Sequence, residues 1–387
     1  MVTVVKVGGS LLQDAANLQR LGSALAEKQR EGGSLLVVAS ALKGVTDLLE
    51  SAALAAVDRQ RSNGHLGETL DTLRRRHLGI ARELSADLSI VDRAIAELED
   101  LIGSIGDTGD LPDETYARVL SYGERLSVPL VAAAIRNAGP GAQPIASEEA
   151  GLRAAGPARA GSCDIPASTA GLERMRSGLR DQVLVLTGFY GVDDQGGVVL
   201  FGRGGSDDTA CAVAAGLDAD RLELWKDVPG FMSADPQEVR GARVIREVSF
   251  DEVAQLGAFG SRLVHHGCLE PLRGRPIQVF ISTLTPSGPT PGTRLVEKLE
   301  RGATRVVALA SRRHQPSLIG LVGDGIVGDP AIRSRMLACL AAAGVRGDLV
   351  ARPSGRSGLS CTVHPDDLAS ALDGLHESFF TSSEEIP

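Results

Sequence analysis

Residues 201–210 read FGRGGSDDTA, between the apolar runs QVLVLTGFYG and CAVAAG. Gly202, Gly204 and Gly205 let backbone approach a bound group closely. Ser206 suits a helix cap, and Asp207 and Asp208 fall in the first helical turn, where acids complement the dipole. Those features need no ligand. Arg203 does: a guanidinium in a glycine turn at a strand's C-terminal end can fork onto a carboxylate or phosphate.

Three further stretches carry chemistry. In VVKVGGSLLQ (4–13), a strand leads into Gly8-Gly9, whose amides can approach an anion, with Lys6 as a point charge beside them. Ser10 to Gln13 matches a capping box, so a helix is expected from Ser10. An ordinary turn with an exposed lysine fits the same residues. This turn carries neither GxxxxGK[ST] nor GxGxxG, which disfavours a P-loop enzyme and a dinucleotide oxidoreductase. In SYGERLSVPL (121–130), Gly123-Glu124 precedes an apolar helix. Glu124 suits a substrate ammonium and a helix N-terminus equally. In ELWKDVPGFMSADP (223–236), a strand ends at Trp225, Lys226-Asp227 sit at its tip, and two Pro turns follow. Lys226, Asp227, Phe231 and Asp235 there suit the rim of a nucleotide site.

The positioning elements are continuous apolar runs: TVVKV, LLVVAS, VLVLTGF, LELW and IQVFIS. Without alternation, they read as strands covered on both faces. Helical stretches such as NLQRLGSALAEKQR lie between them, so the fold class is α/β with a mostly parallel sheet. Residues 65–118 are a helical excursion, in which Arg74-Arg75-Arg76 reads as a solvated face. Residues 138–168, rich in Gly, Ala and Pro, read as loop. Composition breaks at TPSGPTPGTRL (285–295). Beyond it, residues 304–387 read as a small α+β unit with two helices on one sheet. Asp329 and Pro330 fit the cap and first position of one of these helices, and Gly344 its end.

The chain has 387 residues, of which 43% are hydrophobic, enough for a large core plus a smaller domain. The net charge of −9 argues against nucleic acid as partner. Five scattered cysteines without a CxxC pair suit reduced thiols and a cytoplasmic location. No run approaches the ~20 apolar residues of a membrane span, and the N-terminus enters a strand with no signal peptide. His265, His266 and Cys268 lack further spaced ligands, so no metal site is expected.

In order, KVGGS, SALKGVTDLL, SYGERLS, TGFYG, GRGGSDDTA, WKDVPGFMSADP and FGSRLVHH resemble the aspartate kinases of the amino-acid kinase superfamily. The resemblance covers roughly 1–298, the catalytic domain. The LVGDGI and HPDDLASALDGLHESFF stretches of 304–387 resemble an ACT regulatory domain. The resemblance implies an amino-acid kinase fold and transfer of the ATP γ-phosphoryl group, with Mg²⁺ held largely by the phosphates, to the side-chain carboxylate of L-aspartate. Lys6 and Asp207 become catalytic. Thr46, Glu124, Arg203, Gly204 and Ser206 fall on substrate positions. Gly8, Gly9, Ser10, Lys226, Asp227, Phe231, Asp235 and Arg262 fall on nucleotide positions. A homodimer through the ACT-like domain follows by analogy.

The departures are local. KVGGS replaces the usual KFGGT or KYGGS, and Phe231 stands where tyrosine is common. Arg262 replaces an ATP-contacting lysine and His266 a proline. The tail has room for about one ACT unit where two are usual, and ARPSGRSGLS (351–360) differs from the family's effector strand. Feedback by lysine or threonine is therefore not expected. Two alternatives stand beside the aspartate kinase. One is a kinase of another amino acid or small carboxylate. The other is a catalytically silent regulatory subunit, against which the retention of Lys6, Glu124, Arg203 and Asp207 argues.

Overall fold

Four of the five apolar runs become strands of one parallel sheet. A computed structural model describes residues 1–58, 65–202, 204–285, 288–299, 305–313, 315–350 and 358–380. The chain forms two compact units. The first comprises Met1–Asp227, Arg275–Ile277 and Leu284–Thr290, and the second Val228–Gly274, Gln278–Thr283 and Pro291–Pro387.

The first unit opens with β1 (Val2–Val7), α1 (Ala15–Arg30), β2 (Ser34–Ala39) and α2 (Val45–Val57). The helical excursion follows as α3 (His65–Glu83), α4 (Leu88–Thr108) and the start of α5 (Asp113–Asn137). Next come β3 (Ala142–Ile145), α6 (Ser147–Ala150), β4 (Ala154–Ala155), β5 (Ser162–Cys163) and α7 (Thr169–Gly178). The unit continues with β6 (Val183–Thr187), β7 (Tyr190–Val192), β8 (Val198–Leu200), α8 (Gly205–Gly216) and β9 (Arg221–Lys226). Its sheet runs β9-β1-β2-β6-β3, parallel at every step. Lys6 thus stands between Val38 of β2 and Leu224 of β9. Strand ends separated by more than 200 residues in sequence meet at one sheet edge, the C-terminal one, where open α/β sheets bind ligands.

Helix α5 is the central strut. It packs on α1, α2 and α4, and its buried face includes Tyr122, Leu126, Leu130 and Ile135. A Cβ at Gly22 of α1 would lie 2.3 Å from the Ala134 carbonyl oxygen, so only glycine permits this crossing.

Five local expectations change. Ser10 does not start a helix: Gly9–Leu11 form one 3₁₀ turn. Gln13 Nε2 donates to the Ser10 carbonyl at 2.7 Å instead of closing a capping box. Helix α1 starts at Ala15, where Asp14 accepts from Asn17 N–H at 2.8 Å. Gly123-Glu124 does not precede a helix but lies within α5. Glycine is used there because a Cβ would come within 2.8 Å of Ala41 Cβ. Ser206 is not the cap of α8, since Gly204 in the left-handed region takes that position. Residues 138–168 contain β3, α6, β4 and β5 rather than loop alone. The arginine run is not simply a solvated face either. Arg74 pairs with Asp92 and Glu99, and Arg76 donates to the carbonyls of Lys43 and Gln13.

The second unit holds β10 (Glu247–Ser249), α9 (Phe250–Ala258), and most of β11 (Gln278–Thr285) and β12 (Gly288–Val296). It continues with β13 (Ala308–Arg312), β14 (Ser317–Val322), α10 (Pro330–Ala342), β15 (Gly347–Val350), β16 (Gly358–Val363) and α11 (Leu368–Phe380). The last four strands form an antiparallel sheet in the order β13-β14-β16-β15. Asp329 accepts from Ala331 N–H at 2.8 Å, Pro330 opens α10, and Gly344 follows it at φ +70°, as the sequence indicates. Ala234 and Val239 share a core with Leu309, Ile319 and Leu375, so the turn at Ala234-Asp235-Pro236 is built into this small sheet's packing.

Candidate active site

Several expected residues converge on one cavity of about 380 Å³ in the first unit. Its wall includes Lys6, Gly9, Ser10, Thr46, Glu124, Gly204 and Ser206. Three short-range starts of helical structure point at it: the 3₁₀ turn at Gly9, α2 after Gly44, and α8 after Gly204. Gly44 and Gly204 both lie in the left-handed region, at φ +78° and +77°. A Cβ at Gly9 would lie 2.9 Å from the Ala41 carbonyl oxygen. Gly8 works differently: its N–H is spent on the Trp225 carbonyl at 3.2 Å, so it joins β1's end to β9 rather than offering its amide to an anion.

Behind the cavity stands a buried charge triad. Lys6 Nζ meets Asp207 Oδ1 at 2.8 Å, and Lys226 Nζ donates to Asp207 Oδ2 at 2.7 Å. Lys6 is 6% exposed and Asp207 4%. Burial pushes the Asp207 carboxyl up, but the two ammonium groups outweigh it and hold it below the ordinary range. Burial, reinforced by Lys226, lowers Lys6 despite the attraction of Asp207. Two cations on one anion leave the triad with a net positive charge beside the cavity.

Glu124 is the contrasting element. It is 3% exposed, and its Oε1 accepts from Ala41 N–H at 3.0 Å. Burial pushes its carboxyl up to about 8. The cavity therefore offers a cationic wall at Lys6 and an acid at Glu124, the chemistry of a small zwitterion plus phosphate.

The sequence reading missed some of the wall. Lys43, Gly44 and Phe189 also line the cavity, beside Gly202 of the expected glycine turn. Phe189 holds φ +77°, unusual for a non-glycine residue. Its N–H donates to Thr209 Oγ1 at 3.0 Å, and Gly205 leaves room for its ring. The glycine before it in TGFYG was the available signal. Asp208 is also perturbed: burial and the neighbouring Asp207 raise it to about 7.

Phe231, Asp235 and Arg262 line a second cavity of about 470 Å³ within the second unit, with Met232, Leu256 and Phe259. Asp235 Oδ1 accepts from Gln237 N–H at 2.8 Å, and Arg262 is exposed. Asp227 is exposed at the tip of β9. Arg203 lies outside the described residues. Cys268 Sγ donates to the His265 carbonyl at 2.8 Å, and among the described residues no group of three or more His, Cys, Asp or Glu gathers as a metal site. None of the described helices is long and apolar enough to cross a membrane.

The Amino acid kinase family model matches residues 1–282. The chain belongs to the amino acid kinase family. An ACT domain model matches residues 319–379 of this family member. Aspartokinase of Mycolicibacterium smegmatis is 28% identical over 381 residues, spanning 97% of this chain and 77% of that protein. Aspartokinase 3 of Bacillus subtilis is 31% identical over 317 residues, 80% of this chain and 66% of the relative. E. coli aspartokinase III in complex with aspartate and ADP has the same fold, with a TM-score of 0.81 at 21% identity over 98% of this chain and all of that one.

Proposed function

We propose that this amino acid kinase is an aspartate kinase. It transfers the γ-phosphoryl group of ATP to the side-chain carboxylate of L-aspartate, giving 4-phospho-L-aspartate and ADP. The observation that carries the reading is the cavity wall that pairs the lysine-rich side at Lys6 with the buried acid Glu124. The aspartokinase relatives named above agree with it.

A side-chain carboxylate, with a pKa near ~4, is ionised at neutral pH and needs no general base. What it needs is alignment and positive charge between two anions. Lys6 supplies that charge at the cavity. Asp207, itself fixed by Lys226, holds Lys6 in place, so the ammonium is preorganised rather than recruited during reaction. Glu124 receives the substrate ammonium. Thr46, Ser206 and the amides near Gly9, Ser10 and Gly204 fix carboxylate and phosphate oxygens, and Arg203 clamps a substrate carboxylate. Phe231, Asp235 and Arg262 bring an apolar ring and a cation suited to a nucleotide, and are assigned with Lys226 and Asp227 to nucleotide binding, whereas Gly8 ties β1 to β9. Both Asp207 oxygens are already on lysines, which fits Mg²⁺ that arrives on the ATP phosphates and offsets their charge.

Residues 1–298 form the catalytic domain in this reading, and 304–387 an ACT-like regulatory domain through which two chains pair. The protein works in the cytoplasm. Incubation with Mg-ATP, hydroxylamine and single amino acids tests the assignment. Hydroxamate should form with L-aspartate. Turnover of glutamate or another acid with none of aspartate contradicts the substrate.

A further inference from the structure

The candidate cavity contains one acid that no charge in the described structure balances. Glu124 Oε1 has the Ala41 N–H, but Oε2 is buried with no hydrogen-bond partner among the described residues. The surrounding cations are committed elsewhere or belong to other faces. Lys6 on β1 and Lys226 on β9 both pair with Asp207 of α8. Arg125, next along α5, pairs with Glu148 of α6. Lys43, before α2, lines the cavity but is exposed, with no ion pair to Glu124 among the described residues. On α2, Asp47 and Glu50 are exposed, and Glu50 accepts from Tyr116. Asp208 of α8 is half-buried and does not line the cavity.

An ionised carboxylate buried with one open oxygen is costly, and the neutral acid is the cheaper form. An ammonium brought to Oε2 reverses that balance. We propose that Glu124 is a proton-linked receptor for the substrate's α-ammonium, carrying a proton in the empty cavity and releasing it to solvent as the ammonium docks. The carboxyl O–H breaks, the proton passes to buffer, the substrate keeps all three ammonium hydrogens, and a carboxylate–ammonium pair remains. No electrons are exchanged. The raised carboxyl, pushed to about 8 by burial against the pull of the Ala41 N–H and Lys6, agrees. The inference rests on the aspartate kinase reading and adds a selection rule. A dicarboxylate without an ammonium leaves Glu124 protonated and gains no pair from it.

Calorimetric titration of the full chain with L-aspartate at pH 7, in phosphate and in Tris, counts the protons through the buffers' different ionisation heats. Close to one proton should be released per aspartate bound. Affinity should rise with pH between 6 and 7.5, by at most about tenfold per unit. Succinate, the same dicarboxylate without the ammonium, should release none. Glu124→Gln should give equal heats in both buffers, which separates Glu124 from Asp208. Equal heats with the natural chain, or a proton released by succinate, overturn the proposal and leave the kinase reading standing. No binding of aspartate overturns both. The natural chain alone decides the matter if the variant fails to fold.

Discussion

Asp207 has a lysine on each oxygen, so its two neighbours differ in what their loss does. Lys6→Ala leaves Asp207 paired with Lys226. Its stability cost should be modest, while kcat falls on the order of 10²–10³-fold because transition-state charge is lost. Asp207→Asn leaves two ammonium groups, Lys6 buried and Lys226 partly so, without an anion. It should cost about 3–5 kcal/mol of stability in chemical denaturation, as well as activity. Equal stability in the two variants would contradict the triad. These residue types and their glycine turns were legible in the sequence. The pairing was not, because it depends on β1 and β9 lying side by side across more than 200 intervening residues. The orphaned oxygen of Glu124 was hidden for the same reason: its surroundings come from Ala41, brought to α5 by tertiary packing.

Among the elements, α3 carries a pH-sensitive group. His77 is fully buried, its Nδ1–H donates to the Leu73 carbonyl at 2.7 Å, and Nε2 has no partner among the described residues. Burial lowers it from 6.5 to about 4. The unfolded chain therefore binds this proton first as pH falls. The contribution is intact above pH 6.5, declines through the window, and is lost below about 4. It amounts to about 3 kcal/mol. Urea unfolding from pH 7 to 4 should show that loss, and His77→Leu should remove this part of the slope. An unchanged slope would contradict the burial argument. Long elements were readable, since continuous apolar runs and 3.6-residue spacing persist over many turns. The two-residue strands β4 and β5 were not, because two residues carry no period. The expected capping box at Ser10 failed because Gln13 found a carbonyl rather than an N–H, a choice that local spacing does not determine.

At the scale of the whole molecule, the small C-terminal α+β pattern was legible from turn residues, caps and two helical stretches. Its core was less so: Ala234 and Val239, far upstream, complete it. Edge strand β15 carries Leu349 at 38% exposure, and α10 carries Leu337 likewise. Apolar side chains on an open edge and a neighbouring helix suit pairing with a second copy. Light scattering should give a dimer mass for the full chain, and Leu349→Lys should shift it toward monomer. A dimer untouched by that change would place the contact on another surface. The central claim is narrower and chemical: one phosphoryl group placed on the side-chain carboxylate of aspartate. Borohydride reduction of the reaction mixture tests it directly, because it converts the acyl phosphate to an alcohol at the phosphorylated carbon. The account predicts ATP-dependent homoserine. The isomeric amino alcohol from the α-carboxylate, or no alcohol at all while ATP is consumed, would contradict it.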